Sequence, residues 1–222
     1  MSIASAIESI EDADVAVSAA AEPLTRSPVT RALGQVSEIA DQPPMFTLAS
    51  LVLAGGVLSG SPKATEAGLR LLLSLGLATA IKTGGKTLFA RTRPYVLHEE
   101  GRYEKELLGP VDKDHNSFPS GHTADAVSAA RALARAFPEA RGPAYAGAAA
   151  IGLIQVPRGA HHPLDVAAGA LVGLAAEAIA HEILERGARA AKPWVERIGE
   201  APGAGASGGN GPAPQAEVMR AG

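Results

Sequence analysis

The stretch FTLASLVLAGGVLSG, residues 46–60, is apolar from end to end and carries no charge. A turn at Ser59, Gly60, Ser61 and Pro62 closes it, since Gly and Pro are the strongest local breakers of regular structure. Residues 66–81 follow and are apolar except for Glu66 and Arg70. Two more apolar runs lie downstream, AYAGAAAIGLIQVP at 144–157 and LDVAAGALVGLAAEAIA at 164–180. No stretch alternates apolar with polar residues as a half-buried strand would, and no internal repeat is visible. The fold class read from these runs is all-α, a helical bundle of about five core helices.

Working outward, a polar loop at 95–118 and a helix starting near Ser120 separate the two apolar pairs. Residues 2–40 read as polar, amphipathic helices broken near Pro23 and Pro28, and Pro43-Pro44 forms a boundary. The expected organisation is therefore amphipathic helices over 1–44, a helical core over 45–184 and a C-terminal helix end over 185–200. Residues 201–222 are rich in Gly, Ala and Pro without periodicity, and a disordered tail is expected there.

A chain of 222 residues is long enough for one domain with a sizeable core. Its apolar segments are dominated by Ala and Gly, with only 4% aromatic residues overall, so its helices are able to pack closely. A net charge of −3 argues against nucleic acid as a partner, which calls for a basic surface. The absence of Cys excludes disulfides and thiolate metal sites. The first 22 residues carry Glu8, Glu11, Asp12 and Asp14 instead of a basic region before an apolar run, so no secretory signal peptide is expected.

A spanning helix needs roughly 20 apolar residues, and the runs here are shorter. A soluble bundle of buried, Ala-rich helices is one reading. Two apolar hairpins close together in a short chain favour the other, a multi-pass membrane protein. Arg70 and Lys82 then snorkel or face the bundle interior. Lys63, the pair Arg135 and Arg141, and the stretch with Arg186, Arg189 and Lys192 would share one side. The positive-inside tendency makes that side cytoplasmic and turns the loop 95–118 outward.

Three patches carry chemistry. In KTLFARTRP, Lys86 and Arg93 are seven residues apart, almost two helical turns, so both are expected on one helix face that Pro94 then ends. Two cations on one face suit a phosphate, and Arg adds a planar fork of donors. Alone, this reads better as the basic end of an ordinary helix. In PSGHT, Ser120 is a good N-cap, Gly121 lets a ligand approach the backbone, and free N–H groups at a helix start bind anions beside His122. Alone, it is a capped helix with an incidental histidine. In RGAHHPLD, His161 and Asp165 are four apart, so the carboxylate is placed to fix one imidazole tautomer. Alone, it is a turn with surface histidines.

Together the three resemble the tripartite signature of the type 2 phosphatidic acid phosphatases, shared with vanadium haloperoxidases, which runs KxxxxxxRP, PSGH and SRxxxxxHxxxD. The first two are intact at Lys86–Pro94 and Pro119–His122, and the third is present at its end, His161 to Asp165, followed by Val166-Ala-Ala-Gly169. The resemblance covers about residues 45–184. The Ser-Arg pair falls on Ile154-Gln155, and Gln155 keeps a donor but loses the charge. Arg158, three residues on, is the candidate replacement.

The resemblance implies a phosphatase acting on a lipid phosphate or polyprenyl diphosphate through a phosphohistidine. His161 would be the nucleophile oriented by Asp165, and His122 the general acid and base. Lys86, Arg93, Ser120, Gly121 and Arg158 would hold the phosphoryl oxygens. No cofactor and no metal are implied; His98, Glu99, Glu100, Asp112, Asp114 and His115 read as a solvated acidic loop. The alternatives are a vanadate-dependent haloperoxidase and a non-catalytic lipid- or phosphate-binding membrane protein, for which only Gln155 speaks.

Overall fold

The computed structural model describes residues 2–110 and 112–199. The tail expected at 201–222 lies outside them. The elements run α1 (Ile3–Thr25), α2 (Pro28–Ser37), a 3-10 turn (Glu38–Ala40), α3 (Gln42–Leu58), α4 (Pro62–Leu88), β1 (Phe89–Arg91), α5 (Pro94–Glu100), β2 (Lys105–Leu107), α6 (Gly121–Ala136), a second 3-10 turn (Pro138–Ala140), α7 (Arg141–Ile154) and α8 (Pro163–Gly199). The class is all-α, as the apolar runs implied. Internal contacts divide the chain after Ile183. The described part of the second unit is the last stretch of α8, where the Arg197 guanidinium lies 4.6 Å over the Trp194 ring.

Small residues decide how the bundle closes. α3 and α4 form an antiparallel hairpin in which a methyl at Gly56 would meet the Thr65 backbone nitrogen at 2.4 Å, and one at Gly68 would meet the Leu53 Cα at 2.4 Å. α6 and α8 run parallel: a methyl at Gly169 would meet the Ser120 carbonyl at 2.4 Å, and one at Gly173 the Ala124 carbonyl at 2.5 Å. Such four-residue spacing of glycines lets helix backbones touch. One apolar cluster joins α3, α4 and α6 through Ala49, Leu71, Leu75, Ala129 and Ala132; a second joins α6 and α7 around Ala126, Ala130 and Ala148. A buried Lys82–Asp125 ion pair ties α4 to α6.

The segment after α4 departs from the sequence expectation. The helix does not continue to Pro94. It ends at Leu88, and Phe89–Arg91 pair antiparallel with Lys105–Leu107. Arg93 is extended (φ −72°, ψ 151°), and Pro94 starts α5 instead of ending α4. The cause is local: Pro disfavours the helical region at the residue before it and is at home in a first helical turn. The freed Arg91 N–H donates to the His115 carbonyl at 2.7 Å and Ser117 N–H to the Arg91 carbonyl at 3.1 Å. These two bonds fix the strip 115–117 beside β1, and the supposed loop 95–118 holds most of a short helix and a strand.

Two helices are long and apolar enough to cross a membrane, Pro62–Leu88 and Pro163–Arg197; Gln42–Leu58 is apolar but shorter.

Candidate active site

Lys86, on the last turn of α4, donates from Nζ to the Asn116 carbonyl at 2.8 Å and to Asn116 Oδ1 at 2.6 Å. Arg93 donates from Nη2 to the same carbonyl at 3.3 Å and from Nη1 to the Ala160 carbonyl at 3.5 Å. The two cations therefore converge, through a shared carbonyl and not through one helix face as the spacing suggested. Arg93 Nε is buried with no hydrogen-bond partner among the described residues.

Ser120 caps α6, accepting from Thr123 N–H at 3.5 Å, and its own N–H donates to the Asp165 carbonyl at 3.0 Å. That bond ties the start of α6 to the first turn of α8. A side chain at Gly121 would make only ordinary contact, 3.6 Å from Lys82 Nζ. His122 follows, with Nε2 buried and 3.5 Å from Glu38 Oε2 but outside hydrogen-bond geometry.

His161 is buried, and its Nδ1 donates to the Ser117 carbonyl at 2.7 Å. That bond assigns the tautomer and leaves the Nε2 lone pair free. Burial first, then the Arg93 and Lys86 cations, holds its pKa well below the usual imidazole range. A neutral imidazole beside two cations has the chemistry to attack an anionic group held there.

The expected direct link between His161 and Asp165 is replaced by an indirect one. Asp165 Oδ2 is 3.9 Å from His161 Nδ1. It accepts instead from the Ser117 hydroxyl and, at 2.8 Å, from His162 N–H, while Oδ1 accepts from Arg91 Nη1 at 2.7 Å. Ser117 thus holds His161 with its carbonyl and Asp165 with its hydroxyl.

Behind this lies a wall the sequence reading missed. Arg91 bridges Asp165 and Asp14 Oδ2, the latter at 2.6 Å, and its Nε donates to the Tyr103 hydroxyl at 3.0 Å. Asp14 Oδ1 accepts from Leu164 N–H at 2.7 Å, and the Ser18 hydroxyl is 2.8 Å from His162 Nδ1. α1 is therefore built into the back of the site. Asp14 and Ser18 lie four residues apart on one face of α1 and both are buried, but they interrupt no apolar stripe, so the sequence carries no mark of their role.

Arg158 is engaged elsewhere than among Lys86 and Arg93. It donates to the Gly34 carbonyl at 3.3 Å and the Ser37 hydroxyl at 2.9 Å, and pairs with Glu38 Oε1 at 2.6 Å. Gln155 is buried and donates to the Ile151 carbonyl at 2.8 Å and the same Ser37 hydroxyl at 3.3 Å. Glu38 stands between Arg158 and His122. Partial burial opposes its charge, but Arg158 and then His122 outweigh that, so its pKa lies below the ordinary carboxylate value. Among the described residues no group of three His, Asp or Glu side chains is arranged to hold a metal ion; His115 pairs with Asp112 at 2.8 Å.

A neutral, buried histidine beside two converging cations, with a second histidine in the first turn of α6, is an arrangement suited to phosphoryl transfer. The PAP2 superfamily model matches residues 67–188, and the chain belongs to that superfamily. Over 107 residues it is 37% identical to a non-specific acid phosphatase of Salmonella typhi, covering 47% of this chain and 41% of that protein. The match thus spans about two fifths of that relative's length. The fold is similar to the crystal structure of a transmembrane PAP2-type phosphatidylglycerolphosphate phosphatase from Bacillus subtilis, with a TM-score of 0.60 and 22% identity over 80% of this chain and 87% of that one. LpxE of Aquifex aeolicus aligns with a TM-score of 0.44 and 25% identity over 71% of this chain and 97% of that one.

Proposed function

We propose that this chain hydrolyses the phosphate ester or diphosphate of a lipid-like substrate through a phosphohistidine at His161. The observation that carries the reading is the His161 Nδ1–H bond to the Ser117 carbonyl, which leaves Nε2 as a lone-pair donor beside Lys86 and Arg93. His161 Nε2 attacks phosphorus while the ester P–O bond breaks, and His122 gives its proton to the departing alkoxide. His122 then takes a proton from water, the oxygen of which attacks phosphorus as the P–N bond breaks, and phosphate leaves. Lys86, Arg93, Ser120 and the Gly121 N–H stabilise the charge spread over the equatorial oxygens. Arg158 holds Glu38 beside His122; burial lowers the pKa of His122 below the usual imidazole value, and Glu38 offsets part of that.

Two features support a lipid-like substrate and a membrane setting. Only 39% of the apolar window in α4 and 33% of that in α8 is buried, so most of each apolar surface faces outward. Leu51, Leu58, Leu153 and Leu171 are among the exposed residues of α3, α7 and α8. An apolar groove of about 460 Å³ is lined by Leu88, Phe89, Phe118 and Leu164, the last two next in sequence to Ser117 and Asp165. In this reading the bundle crosses the membrane with the cradle outward.

The test is covalent trapping with a ³²P-labelled lipid phosphate. Acid quenching of the wild type yields an acid-labile phosphoenzyme, and His161→Ala yields none. His122→Ala slows turnover, and less so with good leaving groups. A phosphoenzyme that persists in His161→Ala overturns the assignment and points to His162.

A further inference from the structure

A second charged cluster lies at the other end of α6. Glu177 on α8 is fully buried. Arg131 Nε lies 2.6 Å from its Oε2, Arg135 Nε 2.6 Å from its Oε1, and Arg70 Nη1 3.7 Å from Oε1. Arg70 also pairs with Glu66 at 2.8 Å and donates to His181 Nδ1 at 2.9 Å. One buried carboxylate thus sits among three guanidiniums: Oε2 accepts from Arg131, while Oε1 lies close to Arg135 and Arg70 outside hydrogen-bond geometry. Arg70 Nε is buried with no partner among the described residues.

The excess positive charge has an outlet. Arg131, Arg135 and Arg141 line a cavity of about 290 Å³ together with Tyr145. The side chains of Arg131 and Arg135, which line the cavity, are 31% and 34% exposed, and each turns its Nε on Glu177. Arg141 sits at the start of α7 and is exposed. Among the contacts described, Arg70, Arg131, Arg135 and Arg141 stand in and around the cluster against Glu66 and Glu177, four cations to two carboxylates. The adjacent Lys63 and Glu139 pair with each other at 3.9 Å and leave that balance unchanged. Planar guanidinium forks converging on one cavity match the oxygens of a phosphate group.

We propose that this cavity is a second anion site, taking a phosphate-bearing group, either free phosphate or the headgroup of an anionic lipid. Arg135 is thirteen residues along α6 from His122, about 20 Å at the helical rise. The site is therefore separate from the cradle and independent of the catalytic reading. The buried Glu177 sets the arginine side chains in place, and the anion completes the charge balance that Glu177 alone leaves open.

The test is equilibrium dialysis of the full chain in detergent with labelled inorganic phosphate. Wild type is expected to bind at two sites. Arg141→Gln weakens one of them by about tenfold or more, the cost of a lost charge-assisted contact, and Arg141→Glu removes it. Lys86→Met weakens the other. Arg141 is exposed, so neither substitution there disturbs the core, and unchanged thermal unfolding checks this. Flotation with phosphatidylglycerol-containing vesicles against phosphatidylcholine alone separates the two sources. Loss of the anionic-lipid preference in Arg141→Glu identifies a headgroup; loss of phosphate binding with flotation intact identifies free phosphate. If both Arg141 variants keep wild-type phosphate stoichiometry and affinity, the cluster is structural only and the proposal fails. If Lys86→Met instead keeps them, it is the catalytic reading that fails.

Discussion

The two ends of the bundle solve opposite problems of charge. Behind the cradle, one cation, Arg91, sits between two carboxylates, Asp14 and Asp165. At the far end, one carboxylate, Glu177, sits among three guanidiniums. The first arrangement is closed. Every charged oxygen of Asp14 and Asp165 accepts a hydrogen bond from the protein, and the network serves to hold Ser117 and the strip 115–117. The second is open, with cations in surplus over a cavity. A buried network whose charged oxygens are all hydrogen-bonded within the protein is a scaffold, whereas one with cations left over a cavity is a receptor.

Breaking the closed network has the largest expected effect. Arg91→Met leaves two buried carboxylates without a cation, and loss of one partner from a buried pair typically costs about 3–5 kcal/mol. Unfolding in denaturant should show that loss, together with loss of phosphatase turnover. Glu177→Gln at the open end keeps the shape and is expected to cost less, about 3 kcal/mol at the low end of that range. Its distinguishing mark is rescue: added phosphate should recover more stability in Glu177→Gln than in the wild type, because the ligand replaces a missing counter-charge. Arg91→Met should show no such rescue.

Acid should weaken the cradle end. His161 and His162 both have pKa values pushed below the usual 6.5, first by burial and then by nearby arginines. Below pH 6.5 the unfolded chain therefore binds protons that the folded chain does not, so stability falls as pH falls. The slope is about 1.4 kcal/mol per pH unit for each histidine until its folded-state pKa is reached. Unfolding midpoints measured from pH 7 downward check the sign. The smallest effect is expected from Ser117→Ala. It removes the hydroxyl from Asp165 but keeps the carbonyl that holds His161, at a cost of about 1 kcal/mol, with turnover reduced and the phosphoenzyme still formed.

The residues placed around the cradle were legible because each motif is local in sequence. Ser120, Gly121 and His122 mark a helix start, and a capped start needs no long-range information. The apolar runs gave the bundle for the same reason. The path from Lys86 to Arg93 was misread because an apolar, basic segment carries no sign of its partner strand; Lys105–Leu107 lies beyond a helix and a turn. The wall formed by Asp14, Ser18 and Arg91 was invisible, since the contacts that tie α1 into it join residues 77 to 150 positions apart. Arg158 was judged by its distance along the chain from Gln155, whereas its partners Gly34, Ser37 and Glu38 come from α2 and the turn after it.

The contact of Gly169 and Gly173 with α6 acts as a gauge block for the site. α6 carries Ser120 and His122, and α8 carries Asp165, so the distance between the two halves is set by backbone touching backbone. No side chain intervenes that could shrink, swell or change rotamer. Substitutions on the outer faces of these helices can therefore accumulate without retuning the site. A single methyl group at position 169 is different in kind: it would push on the carbonyl of Ser120 and displace the whole start of α6 as a rigid lever. The calibration of this site rests on two positions where the chain supplies no side chain at all.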